Sequence, residues 1–118
     1  MRDHRKLRAF ELADLLALTI YRETEGFPKS EEFGLKSQLR RGAVSVASDI
    51  VEGCARRTKT DSIRFLDIAY GSARELEYQV SLASRLGFFD KQQSQNIDIQ
   101  CEETSKVLYG LIQGLRRS

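Results

Sequence analysis

The chain has no Trp, a single Pro, a single His, a single Met and two Cys, and its Lys+Arg and Asp+Glu totals nearly cancel at 19 and 17. Each scarcity removes a class of protein. With so little Pro, long helices run without the ring that would remove a donor and break them. Cys54 and Cys101 are too few and too far apart for a disulfide scaffold. They also lack the CxxC spacing of a zinc knuckle or redox motif, so both are expected as reduced, packed thiols. His4, the lone imidazole, lies in a charged N-terminal tail that is expected to fray, a poor place for a metal ligand or general base. No apolar run approaches the roughly 18 residues of a membrane helix, and Arg2–Arg8 has charge but no apolar signal core. A cytoplasmic protein with no membrane partner is expected.

What remains is 41% apolar and 31% charged residues, the composition of a helical domain with one core. Four stretches carry apolar residues at steps of three and four. The first, about Ala9 to Glu25, has the stripe Phe10, Ala13, Leu16, Ile20 and Tyr21, widened by Leu15 and Leu18, and ends at Gly26-Phe27-Pro28. Ser30 is the expected N-cap of the second, with Glu31 and Glu32 placed to favour its positive end. Its stripe, Leu35, Leu39, Ala43, Val46 and Ile50, runs to about Ala55. Thr58 and Asp61 form a cap pair for a third helix from about Thr60 to Leu86, with Phe65, Ala69, Ala73, Leu76, Val80 and Ala83 inward and Gly87 as left-handed terminator. Asp90 and Gln93 repeat the cap for a fourth, striped by Ile97, Cys101, Thr104, Leu108, Leu111 and Leu115. Short connections between long helices predict one all-α domain over residues 1–118, an antiparallel up-down-up-down four-helix bundle. Gly42, Gly71 and the Gly110/Gly114 pair are expected where helices approach closely, because mid-helix Gly otherwise costs about 1 kcal/mol each.

Catalytic motifs are missing: there is no phosphate loop, no GxSxG, no GxGxxG, and no pair of Glu-x-x-His motifs for a bundle di-iron site. Asp49, Glu52, Glu75 and Glu77 are read as solvated or Arg-paired rather than catalytic. No enzyme activity, metal or cofactor is therefore expected. The cations are more informative, since twelve of the 19 fall in four clusters. These are Arg2, Arg5, Lys6 and Arg8; Lys36, Arg40 and Arg41; Arg56, Arg57 and Lys59; and Arg116 with Arg117. In an antiparallel bundle the first, third and fourth share one pole, a candidate seat for the phosphates of RNA or DNA. The alternative is that they are ordinary helix termini complementing the dipole. Tyr21, Tyr70, Tyr78 and Tyr109 are placed on or beside the inner stripes, so no base-stacking surface is expected from them. Arg40 and Arg41 sit mid-helix at the bundle edge. They are assigned a structural or oligomer-forming role, with Asp49, Glu52 or Glu75 as partners.

The run Phe33-Gly34-Leu35-Lys36-Ser37-Gln38-Leu39-Arg40-Arg41-Gly42-Ala43-Val44-Ser45-Val46-Ala47-Ser48-Asp49-Ile50-Val51-Glu52-Gly53 resembles the signature of the family named after proteins encoded in 23S ribosomal RNA intervening sequences. The resemblance continues through Phe65 to Glu77, and takes in Ile20-Tyr21, Phe27-Pro28, Leu111-Ile112 and Leu115-Arg116. The family commonly carries Pro at the position of Ala47 and Asn at that of Asp49. The resemblance implies an antiparallel four-helix bundle assembled as a homopentameric ring. The family also includes the accessory variability protein of diversity-generating retroelements, a more basic pentamer that binds nucleic acid and works with a reverse transcriptase. The converging clusters and the resemblance together give two expected functions: a homo-oligomer binding RNA or DNA through Arg5, Lys6, Arg8, Arg56, Arg57, Lys59, Arg116 and Arg117, or an oligomeric adaptor for a protein partner such as a reverse transcriptase.

Overall fold

The computed structural model describes residues 2–118. Four long helices carry the chain: α1 (Arg8–Glu23), α2 (Leu35–Ala55), α3 (Lys59–Arg85) and α4 (Lys91–Arg117). Two single 3-10 turns, His4–Lys6 and Lys29–Glu31, precede α1 and α2, and no strand occurs among the described residues. Each helix packs on the next and α4 packs back on α1, closing a four-helix bundle 45 Å long and 23 by 20 Å across.

The boundaries follow local chemistry. Thr58 Oγ1 accepts the Asp61 N–H at 3.1 Å and starts α3. Asp90 Oδ1 accepts from Gln93 N at 2.8 Å while Gln93 Oε1 accepts from Asp90 N at 2.9 Å, a complete capping box for α4. At the far end of α3, Gly87 takes φ +81°. The Phe88 N–H then reaches Ala83 O, and the Gly87 N–H reaches Ser84 O, the paired bonds of a Schellman stop. The start of α2 departs from expectation. Ser30 lies in the 3-10 turn, and the capping group is the Glu31 carboxylate, which accepts the Leu35 N–H at 2.9 Å. A carboxylate there also meets the positive helix end.

The core forms two apolar layers along the bundle. One gathers Leu16, Ile20, Leu39, Leu76, Val80 and Ile97 with Phe27 and Phe89; the other gathers Ala13, Val46, Ile50, Leu66, Leu108 and Ile112. Phe27 closes one end, its ring centroid 5.0 Å from Phe89 and 5.4 Å from Phe88. Three stripe assignments are corrected. Leu66 rather than Phe65 is buried on α3, and Ile112 rather than Leu111 or Leu115 on α4. Leu15, Leu18 and Tyr21 on α1 are about half exposed. At 3.6 residues per turn a stripe drifts, and the helix rotation decides which of two neighbouring apolar residues faces in.

The glycines divide likewise. A Cβ on Gly42 would lie 3.5 Å from Leu76 and Gln79, so α2 and α3 do approach closely there. Gly71, Gly110 and Gly114 face open space within the chain, against the expectation of close packing. The tight contact is at Gly53, where a Cβ would come within 3.1 Å of Ser62 O. Ser62 Oγ donates to Gly53 O at 2.7 Å, tying the end of α2 to the start of α3.

Candidate nucleic-acid interface

The start of α1, the α2–α3 turn and the end of α4 meet at one end of the bundle. The Arg2 N–H donates to Cys54 O at 3.0 Å, and Lys59 Nζ donates to Ser118 O. Arg2, Arg56, Arg57 and Lys59 line a recess of about 250 Å³ with Thr58, Ser62 and Leu115, and no carboxylate side chain is in its wall. The N-terminal tail is anchored there rather than frayed: Asp3 caps the His4–Lys6 turn, and the His4 ring packs edge-on against Phe10 at 4.7 Å.

Carboxylates temper this end more than the clusters alone suggest. Arg5 pairs with Asp3 at 2.9 Å, Arg8 with Glu103 at 2.9 Å, Arg56 with Glu52 at 3.2 Å and Arg116 with Asp67 at 2.7 Å. The Arg5 guanidinium and backbone N–H hold the Asp3 carboxyl below its ordinary value. Among the described residues Arg2, Lys6, Arg57 and Arg117 carry no ion pair. The Glu52–Arg56 pair, four residues apart on α2, is legible in the sequence. The Arg8–Glu103 and Arg116–Asp67 pairs depend on how α1, α3 and α4 are rotated against one another. Phe65, expected to face inward, instead carries the Arg64 and Arg56 guanidinium carbons 4.7 and 5.4 Å from its ring centroid.

The cluster Lys36, Arg40 and Arg41 lies at the other end of α2. Arg40 Nε donates to Thr24 Oγ1 at 2.9 Å, and its Nη2 donates to Tyr21 O and Glu25 Oε1, each at 3.0 Å. Its carboxylate partner is therefore Glu25, not Asp49, Glu52 or Glu75. Asp49 instead accepts from Ser45 Oγ at 3.1 Å, Glu52 holds Arg56, and Glu75 is exposed. Arg41 is exposed and without an ion pair among the described residues. The tyrosines are surface groups, correcting their placement in the core. Tyr21, Tyr78 and Tyr109 are about half exposed; Tyr70 is half buried, 5.7 Å from Tyr109 and bonded through its OH to Arg74 Nη1. An amphipathic ring at a stripe's edge can turn its hydroxyl to water without losing its packing.

Both thiols are buried and free. Burial, reinforced by Glu77, pushes Cys101 up to about 12, and burial also raises Cys54, so neither is a reactive thiolate. Among the described residues no group of three His, Cys, Asp or Glu is placed to hold a metal, and no helix is long and apolar enough to cross a membrane.

The arrangement is that of an all-α four-helix bundle whose conspicuous surface chemistry is positive charge gathered at helix ends. The chain belongs to the 23S rRNA-intervening sequence protein family, whose model matches residues 5–110. It is similar in structure to a protein of unknown function of the S23 ribosomal protein family from Bacteroides thetaiotaomicron. The TM-score is 0.79 and the identity 25%, covering 88% of this chain and 97% of that one. No curated protein matches this chain.

Proposed function

We propose that this protein is a non-enzymatic, cytoplasmic homo-oligomer that binds RNA or DNA phosphates through the basic end of an up-down-up-down bundle. The observation that carries the reading is the recess walled by Arg2, Arg56, Arg57 and Lys59 without a carboxylate side chain, with Lys6 before α1 and Arg117 at the end of α4 exposed at the same end of the bundle. The alternating helix direction is read from the contacts that bring the starts of α1 and α3 beside the ends of α2 and α4. The pentameric ring is read from the family resemblance. Repeating a weak phosphate site around such a ring raises overall affinity without any new contact. The ion pairs on Arg5, Arg8, Arg56 and Arg116 orient those side chains and leave Arg2, Lys6, Arg57 and Arg117 as the cations with charge to spare.

Titration of nuclease-treated protein with structured RNA and duplex DNA at about 50 and 200 mM salt tests this, since phosphate-driven affinity falls steeply over that range. Joint reversal of Arg57, Lys59 and Arg117 to Glu, all exposed and therefore tolerable to the fold, abolishes that binding on this reading. Unchanged affinity in a folded variant removes the site.

A second reading, an oligomeric adaptor for a protein partner, draws on the exposed apolar groups Leu18 on α1, Tyr78 and Leu86 on α3 and Ile99 on α4, each more than half exposed. Recovery of a stoichiometric protein partner, with no nucleic acid bound at the lower salt, favours it. Light scattering gives the subunit number directly, and a single-subunit mass at micromolar concentration contradicts both readings.

A further inference from the structure

Before α2 begins, the chain presents Phe33 with 96% of its surface exposed, and no cation–π or aromatic contact involves this ring among the described residues. Burying a Phe side chain stabilises a fold, so the single chain forgoes a gain by holding the ring in water. The ring stands at the edge of a groove of about 680 Å³ whose wall also includes Tyr21, Lys36, Ser37, Arg40 and Arg41. The groove is at the opposite end of α2 from the recess described above.

Most polar groups here are already committed. Lys36 Nζ is held by Glu32 at 3.0 Å with its side chain only 11% exposed. Arg40 is bound to Glu25, and its guanidinium carbon sits 4.5 Å from the Tyr21 ring centroid, occupying one face of that ring. Two groups are left unused: the Phe33 ring and the Arg41 guanidinium, eight residues apart with Ser37 midway. Phe33 lies in the turn before α2, Ser37 and Arg41 stand one helical turn apart on α2, and all three line the same groove.

We propose that this groove seats an unpaired nucleobase stacked on Phe33, with a neighbouring phosphate of the same strand on Arg41 and the Ser37 hydroxyl. The inference extends the nucleic-acid reading to a second surface and to a class of substrate, single strands or loops. A stacked base brings its own flat π-face, so one accessible ring and one uncommitted cation suffice to hold it. A protein partner makes a different demand, an anchor surrounded by packed contacts that exclude water. Apart from Phe33 and Tyr21 the groove is lined by charged and hydroxyl side chains, and its one aliphatic residue is Val44. Duplex bases are already stacked, so the groove selects against duplex.

The absence of Trp from the chain makes Phe33→Trp a unique fluorescent reporter at a position where the fold bears no load. A ten-nucleotide single-stranded RNA is expected to quench that emission, and a duplex of the same length is not. Phe33→Ala is expected to weaken single-strand binding about tenfold and leave duplex binding unchanged. Arg41→Ala is expected to lower the slope of log affinity against log salt by about one. Undiminished single-strand affinity in Phe33→Ala overturns the proposal. So does a blue shift of the Trp emission with protein concentration alone, which means a second copy covers the groove. Duplex binding without quenching by the single strand overturns this inference and leaves the basic-end reading standing. Quenching without duplex binding, unaffected by the Arg57, Lys59 and Arg117 reversals, does the converse, and loss of both overturns both.

Discussion

Arg40 clasps the end of α1 through Tyr21: its guanidinium carbon lies 4.5 Å from the Tyr21 ring centroid, and its Nη2 donates to the Tyr21 carbonyl at 3.0 Å. That carbonyl is one of the last of α1, left without a partner inside the helix. The same guanidinium donates to the buried Thr24 hydroxyl, which itself donates to Ile20 O at 2.7 Å. One planar side chain thus joins α2 to the α1 terminus by stacking and by bonds in several directions. Arg40→Ala is expected to lower stability by about 2 kcal/mol, the scale of hydrogen bonds to a charged group lost at a half-buried site. Arg40→Lys recovers less than half of it, because an ammonium cannot stack and fork at once. Urea unfolding midpoints measure both, and a Lys variant as stable as the parent refutes the clasp.

Glu25 completes that clasp from the solvent side, and the Arg40 hydrogen bond, helped by the nearby Lys36 and Arg40 charges, holds its carboxyl below the ordinary 4.5. A carboxyl lowered on folding contributes stability that is present above its unfolded value and is lost as pH falls through its folded value. The parent should therefore melt above Glu25→Gln at pH 7, with the gap closing as pH drops below about 4.5. Thermal melts of the pair between pH 3 and 7 check this; a gap constant with pH assigns the effect to something other than the Arg40 pair.

Helix existence and ends were legible because they rest on local chemistry. Thr58, Asp90 and Gly87 act where short-range rules place them, and α2 ends at Ala55 as its stripe implies. What the sequence hid depends on helix rotation about the long axis. That rotation buried Leu66 and Ile112 in place of Phe65 and Leu111, left Tyr21, Tyr78 and Tyr109 at the surface, and brought Glu103 to Arg8 and Asp67 to Arg116. The basic end was legible as a convergence of three clusters, since helix order alone brings it about. Its partial neutralisation was not, apart from Glu52 and Arg56 on one helix. Phe33 entered only as the first residue of the family run, and its exposure alone marks it out.

The glycines separate helix propensity from packing within one molecule. At Gly53 a methyl group would meet the Ser62 carbonyl at 3.1 Å and Leu66 at 3.2 Å. Both belong to α3, and the Ser62 carbonyl is backbone that cannot step aside. Gly53→Ala is expected to destabilise by about 1–2 kcal/mol, the strain of overpacking exceeding the propensity gained. At Gly110 and Gly114 nothing lies within 4 Å, so Gly→Ala there is expected to stabilise the isolated chain by up to about 1 kcal/mol each. Urea midpoints at several protein concentrations decide between the surfaces. If Gly110→Ala and Gly114→Ala raise the midpoint at every concentration, this side of α4 faces water. If they lower it more strongly as concentration rises, a neighbouring subunit packs against these two glycines, and their small size is explained by the assembly rather than by the single chain.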